Sequence, residues 1–178
     1  MKKNILSVFI LAGLVTIILV GYYMFVGNPA KPGNTVNGSQ GAAFTKESFP
    51  QSLAGSTLAG EVVSGPDAMQ NINRLHGASI SVVEGFIAQY LGKNEITVWV
   101  SVSATTNDAL ALFDIMDKKM PASQMFTNRE ELQMDGKQVI KVLGMGQDHY
   151  YWVRDKQVYW IAVGGGDSLT VLQEALKL

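Results

Sequence analysis

Residues 144–163, G-M-G-Q-D-H-Y-Y-W-V-R-D-K-Q-V-Y-W-I-A-V, constrain the fold of this chain more than any other stretch. Two runs rich in Tyr, Trp, Val and Ile flank the polar tip Arg154-Asp155-Lys156-Gln157 and read as one β-hairpin. Five of the nine Tyr and Trp residues lie in it, so the core has to be built around this ribbon. A two-residue turn at Asp155 and Lys156 sets the register. Val153 then faces Val158, Tyr151 faces Trp160 and His149 faces Ala162 on one side. Trp152 faces Tyr159 and Tyr150 faces Ile161 on the other. A hairpin with one wet face alternates apolar and polar residues. This one is apolar on both sides, so both call for a cover: helices on one, and on the other a further part of the domain, a partner, a ligand or a bilayer.

The start of the chain has a different character. Met1-Lys2-Lys3-Asn4 is basic, and residues 5–26 contain no charge. A helix of that length spans about 33 Å at about 1.5 Å per residue, enough to cross a hydrocarbon core of about 30 Å. Tyr22 and Tyr23 suit an interfacial belt, and Lys2 and Lys3 predict a cytoplasmic N-terminus with the rest outside. The rival reading is a cleaved signal peptide. Its apolar region would be shorter, and Asn28-Pro29-Ala30 is a poor cleavage site, so an uncleaved anchor is favoured. Residues 27–45 are rich in Gly, Asn, Pro and Ser and read as a flexible tether. Asn37-Gly38-Ser39 matches a glycosylation triplet, although so short a pattern often arises by chance.

The expected organisation is therefore a signal-anchor transmembrane helix over 1–26, a linker over 27–45 and an extracytoplasmic domain over 46–178. Of the 14 basic residues, Lys2, Lys3 and Lys31 precede that domain, leaving it 11 basic against 15 acidic. Such a balance offers no electrostatic footprint for nucleic acid. There is no Cys, which removes disulfides, thiolate metal sites and a Cys nucleophile.

Within the domain, residues 58–63 read as a short strand. Ser64-Gly65-Pro66-Asp67 opens a helix carrying Met69, Ile72, Leu75 and His76 on one face and stopping at Gly77. Residues 83–91 and 96–103 form a hairpin, with Val98, Val100 and Val102 on its core side and Trp99, Ser101 and Ser103 opposite. Thr105-Thr106-Asn107-Asp108 caps an amphipathic helix through Ala109, Leu112, Phe113, Met116 and Met120, and Pro121 ends it. Asp135-Gly136 is a tight turn between strands 130–134 and 137–143. After Gly164-Gly165-Gly166, Asp167 or Ser168 caps a last helix through Leu169, Leu172 and Leu176. The fold class is α+β: a mostly antiparallel sheet with helices on one face, ferredoxin-like in element order over its first part, after the N-terminal transmembrane helix.

Candidate chemistry is sparse. His149, beside Asp148 and Tyr150, invites a metal or haem reading, but with His76 the only other His, a structural role is favoured and no metal or cofactor is expected. The methionines suit core filling better than soft copper coordination. The triple glycine lacks the spacing of a phosphate loop. There is no G-x-S-x-G and no H-E-x-x-H, and Glu84, Glu95, Glu130, Glu131 and Asp148 are scattered, so no catalytic residue is expected. The best candidate is an aromatic sheet face, Trp99, Tyr150, Trp152 and Tyr159, placed away from the helices; His149 is a secondary candidate. Exposed aromatics mark contacts, whereas buried cross-strand pairs merely stabilise the sheet.

R-L-H-G from Arg74, G-x-x-A-x-Y over 85–90, V-W-V over 98–100, and M-G-Q-x-H-Y-Y-W with V-Y-W-I-A together resemble a group of membrane-anchored prokaryotic proteins of uncharacterised function. The resemblance covers about residues 49–178. It implies no catalytic residue and makes His149 and Tyr150 motif members. The expected function is a tethered accessory or protein-interaction domain of a membrane or envelope complex. The alternative is a small-ligand or cofactor sensor with a pocket lined by Trp99, His149 and Tyr150. An envelope hydrolase would need carboxylates, or a Ser-His pair, to converge in a cleft.

Overall fold

The computed structural model describes residues 43–76 and 82–178. The apolar segment 5–26, the tether up to residue 42, Asn37, the Gly77 stop and the side chains of Leu75 and His76 lie outside the described residues. Among the described residues no helix is long and apolar enough to cross a membrane.

The elements run β1 (Ser52–Leu53), β2 (Ser56–Leu58), β3 (Val63–Ser64), α1 (Gly65–His76), β4 (Val82–Gly92), β5 (Glu95–Ser103), α2 (Thr106–Lys119), β6 (Phe126–Met134), β7 (Lys137–Gly144), β8 (Gln147–Arg154), β9 (Gln157–Gly164) and α3 (Ser168–Ala175). All pairings are antiparallel, in the order β1-β2-β4-β5-β9-β8-β7-β6, with β3 also on β4. The sheet is thus an α+β one, and β5 hydrogen-bonds to β9 rather than to β3. The single strand expected over 58–63 is instead two short ones, β2 and β3, either side of a break with Gly60 at φ 77°.

The aromatic hairpin forms as β8 and β9 in the register the Asp155-Lys156 turn requires: Trp152 opposite Tyr159, Tyr151 opposite Trp160 and His149 opposite Ala162. Its two apolar sides generate two cores. One gathers Phe86, Val98, Val100, Tyr150, Trp152, Tyr159 and Ile161 under α3 and the segment from Phe44 to Val62. The other gathers Ile140, Val142, Tyr151 and Val158 under α2, whose Ala109, Leu112, Phe113 and Met116 are its buried stripe. Gly85, one position from Phe86 and so on this second side, lies under Ile72 and Met69 of α1. Helices therefore cover both faces, not one. The reason is the hairpin itself, since neither of its sides has the polar residues a wet face needs.

The N-terminal boundary also moves. Phe44, inside the expected tether, is 7% exposed and packs edge-on against Phe49, Phe86 and Tyr159 at 5.3, 5.5 and 5.9 Å. The α2 cap forms as read: Thr105 Oγ1 accepts from the Asp108 amide at 3.1 Å while Asp108 accepts from the Thr105 amide at 3.2 Å.

Candidate functional site

Side-chain alternation divides the expected aromatic face. Tyr150, Trp152 and Tyr159 point into the first core and are fully buried. Trp152 and Tyr159 stack at 4.9 Å with ring planes 2° apart. The Arg154 guanidinium donates to the Tyr159 hydroxyl at 2.6 Å, and burial pushes that phenol's pKa up to about 12. Trp99 lies opposite Trp160 in the β5–β9 ladder, half-buried on the second side. The four residues share no exposed face. Three are core, because a segment supplied by the same chain, Phe44 to Val62 together with α3, closes over them.

His149 is buried, and both ring nitrogens are engaged. Trp160 Nε1–H donates to Nδ1 at 3.1 Å, so the ring proton sits on Nε2, which donates to the Gly144 carbonyl at 3.1 Å. Burial lowers its pKa to about 4, outweighing the Gly144 bond and the nearby Asp148 charge. Phe126 and Trp160 meet the imidazole edge-on at 5.0 and 5.7 Å. Among the described residues, no three His, Asp or Glu side chains gather around a common point suited to a metal ion. Tyr150 is on the opposite side of β8 from His149 and Trp99, so the ligand pocket expected between these three does not form.

The surface left open lies where α3 begins, beyond the part of the first face that this helix covers. Two shallow depressions of about 310 and 360 Å³ adjoin there. Leu143, Gly144, Asp148 and Val163 line the first; Glu130, Leu132, Lys141, Ser168 and Leu169 line the second. A polar saddle separates them. Lys141 Nζ lies 3.2 Å from Asp148 Oδ1, Ser168 Oγ–H donates to Asp148 Oδ2, and the Tyr150 hydroxyl completes the chain on Ser168 Oγ at 2.9 Å. Burial acts against the Lys141 ammonium, but Tyr150, Asp148 and Glu130 outweigh it and raise its pKa. Lys93 reaches Asp167, the α3 N-cap, at 3.5 Å, and Asp167 already accepts from the Thr170 amide.

This saddle holds α3 to the sheet. Glu84, Glu95 and Glu131 are exposed and do not join it, whereas Glu130, also exposed, acts on Lys141 through its charge. What the groove offers is mixed chemistry: half-buried Leu132 and Leu143 and an exposed Leu169 beside hydrogen-bonded charges. The sequence signals Asp148 and the Asp167-Ser168 cap separately. Their meeting, and the part played by Lys141, depends on where α3 packs, which no local pattern encodes.

No family model matches the sequence. No curated protein matches it either. Among solved structures, the chain is similar to the extracellular domain of PknH from Mycobacterium tuberculosis, with a TM-score of 0.41 at 14% identity over 65% of this chain and 74% of that one.

Proposed function

We propose that this protein is a single-pass, membrane-tethered binding domain held outside the cytoplasm, acting as a non-enzymatic accessory subunit that docks a protein partner. The uncharged run over 5–26, preceded by Lys2 and Lys3, supports the anchor and its orientation. The observation that carries the binding role is the groove at the start of α3, where apolar rims flank a hydrogen-bonded Lys141–Asp148–Ser168 saddle, on a domain that buries Tyr150, Trp152 and Tyr159 in its own core. A shallow mixed surface of this kind suits a polypeptide better than an enclosed small molecule. The resemblance to membrane-anchored proteins is compatible with this reading and adds no residue to it.

The test is cross-linking mass spectrometry on native membranes with the intact chain and a Leu169→Asp variant. Leu169 is 54% exposed, so the substitution leaves the fold in place. Partner cross-links from Lys141 and Lys93 that disappear in the variant support docking in the groove. Links to a different protein that persist unchanged, or links confined to copies of this chain, overturn it.

A further inference from the structure

The sheet is guarded unequally at its two ends. At one, β4 is covered by β2 and β3, and the outermost strand, β1, is two residues long. At the other, β6 runs nine residues and, among the described residues, pairs only with β7. Its outer backbone groups are a template for another strand.

Which groups face out follows from the turn. Asp135 and Gly136 have φ 50° and 72°, the two-residue turn with both central residues left-handed. In such a hairpin the flanking pair, Met134 and Lys137, exchanges both backbone bonds, and the pattern alternates from there. Leu132 and Glu130 then bond inward to β7, while Glu131 and Gln133 turn their N–H and C=O to the free side. The ladder shifts between Thr127 and Glu130, with Asn128 at φ 52°, so the regular free edge is residues 130–134.

We infer that this edge pairs with β6 of a second copy, antiparallel and centred on Leu132, to join two domains into one continuous sheet. Charge selects that register. Centring on Glu131 or Glu130 sets a carboxylate against itself. Centring on Gln133 sets Glu131 against Asp135 and Arg129 against Lys137 of the second copy. Centring on Leu132 sets Glu131 against Gln133, Glu130 against Met134, and brings Arg129 level with Asp135 of the second copy. Leu132 meets Leu132 across the axis, on the face where it and Met134 are only partly buried. Glu131 and Gln133 of the two copies exchange about four backbone hydrogen bonds.

The position of the chain's entry point agrees. A two-fold axis through an antiparallel strand pair stands perpendicular to the sheet, so each copy keeps its first face on the same side. Phe44, next to the first described residue, packs on that face. Both tethers therefore leave from one side of the joined sheet, as two chains anchored in one bilayer require; this step rests on the membrane-tether reading above. Pairing over so short an edge buries less than the roughly 1,200 Å² of a standard interface, and confinement to a membrane supplies the effective concentration it needs.

The chain has no Cys, which makes the test direct. Full-length Leu132→Cys, Glu131→Cys and Gln133→Cys variants are oxidised in native membranes, and disulfide dimer is read on non-reducing gels. In the inferred register the two Leu132 Cβ atoms are close enough to bridge, whereas each single Glu131 or Gln133 variant faces a non-cysteine. Leu132→Cys should give at least about five-fold more dimer than either neighbour. Adding Glu131→Pro, which deletes an outward N–H while sparing the ladder to β7, should reduce that dimer. Equal yields across the three positions, or no dimer from Leu132→Cys, overturn the pairing. Carbonate extraction of the same membranes reports on the anchor separately, so loss of the tether and loss of the dimer are distinguishable.

Discussion

Trp160 Nε1–H donates to His149 Nδ1 over 3.1 Å, and this contact makes His149 a buried base that cannot take up a proton without losing a partner. A second ring proton would oppose one N–H to another and place a charge among Phe126, Trp160 and the strands. The folded-state pKa, about 4, lies below the usual 6.5. Between these values the unfolded chain binds more protons than the folded one, so folding stability is fully present above about pH 6.5 and falls as pH drops toward 4. Over that window the loss should approach about 3 kcal/mol. Urea unfolding from pH 7.5 to 4.5 measures it. His149→Ala should remove most of this slope, at a fixed cost of about 2–4 kcal/mol for the cavity and the two orphaned partners.

Two glycines should respond to the same substitution very differently. A Cβ on Gly85 would meet the Ile72 Cδ1 terminus at 2.5 Å, a group that can swing aside. A Cβ on Gly144 would strike the Phe126 ring, with Cε1 at 2.7 Å, and the Met125 carbonyl at 2.9 Å. Neither position needs a left-handed backbone, so the effect is steric alone. Gly144→Ala should displace Phe126 from His149 and Trp160 and cost about 3 kcal/mol or more, whereas Gly85→Ala should cost about 1 kcal/mol. Paired denaturation curves decide the ranking, with Trp fluorescence reporting the movement at Trp160.

Asp117 ties α2 to both β8 and β6. Arg129 approaches its two oxygens at 2.7 and 2.8 Å, and Tyr151 donates to Oδ1 at 2.8 Å. The Arg129 bonds hold the Asp117 carboxyl below its ordinary range against the burial that would raise it, and Tyr151 assists. That contribution is present above about pH 4 and is lost only as pH falls through the lowered pKa, a more acid window than that of His149. Tyr151→Phe should cost about 1 kcal/mol, leaving the stack on Trp160 intact. Arg129→Lys, which keeps the charge but loses the fork, should cost less, since the pair is part-exposed. Equal effects from the two would mean that the hydroxyl contributes no more than the surface ion pair.

The sequence made legible what depends on neighbours along the chain: the Asp155-Lys156 register, the Thr105 cap, the valine side of β5 and the Asp135-Gly136 turn. It also showed that both sides of the β8–β9 ribbon were apolar. What it could not give was the cover. Tyr150, Trp152 and Tyr159 look the same in sequence whether a partner or the chain's own N-terminal segment closes over them. The groove was hidden for the same reason, since Lys141 and Ser168 are 27 residues apart and are brought together only by the packing of α3 on β8. Trp99 joined the wrong group because its side depends on the β5–β9 pairing, a contact between strands separated by a helix and three other strands.

Phe44 offers the sharpest check of that account. Composition places residues 43–45 in the tether, where side chains have nothing to pack against. Yet Phe44 meets Phe49, Phe86 and Tyr159 edge-on and is nearly buried. If this ring is part of the lid over the first core, a fragment starting at Lys46 should be less stable than one starting at Ala43 by about 2–4 kcal/mol. Phe44→Ala in the longer fragment should reproduce most of the loss. Removing the ring also uncovers Tyr159, so the shorter fragment should bind a hydrophobic dye and show faster amide exchange in β9. Equal stability of the two fragments would return Phe44 to the tether and leave closure of the first core to α3 and the segment from Phe49 onward.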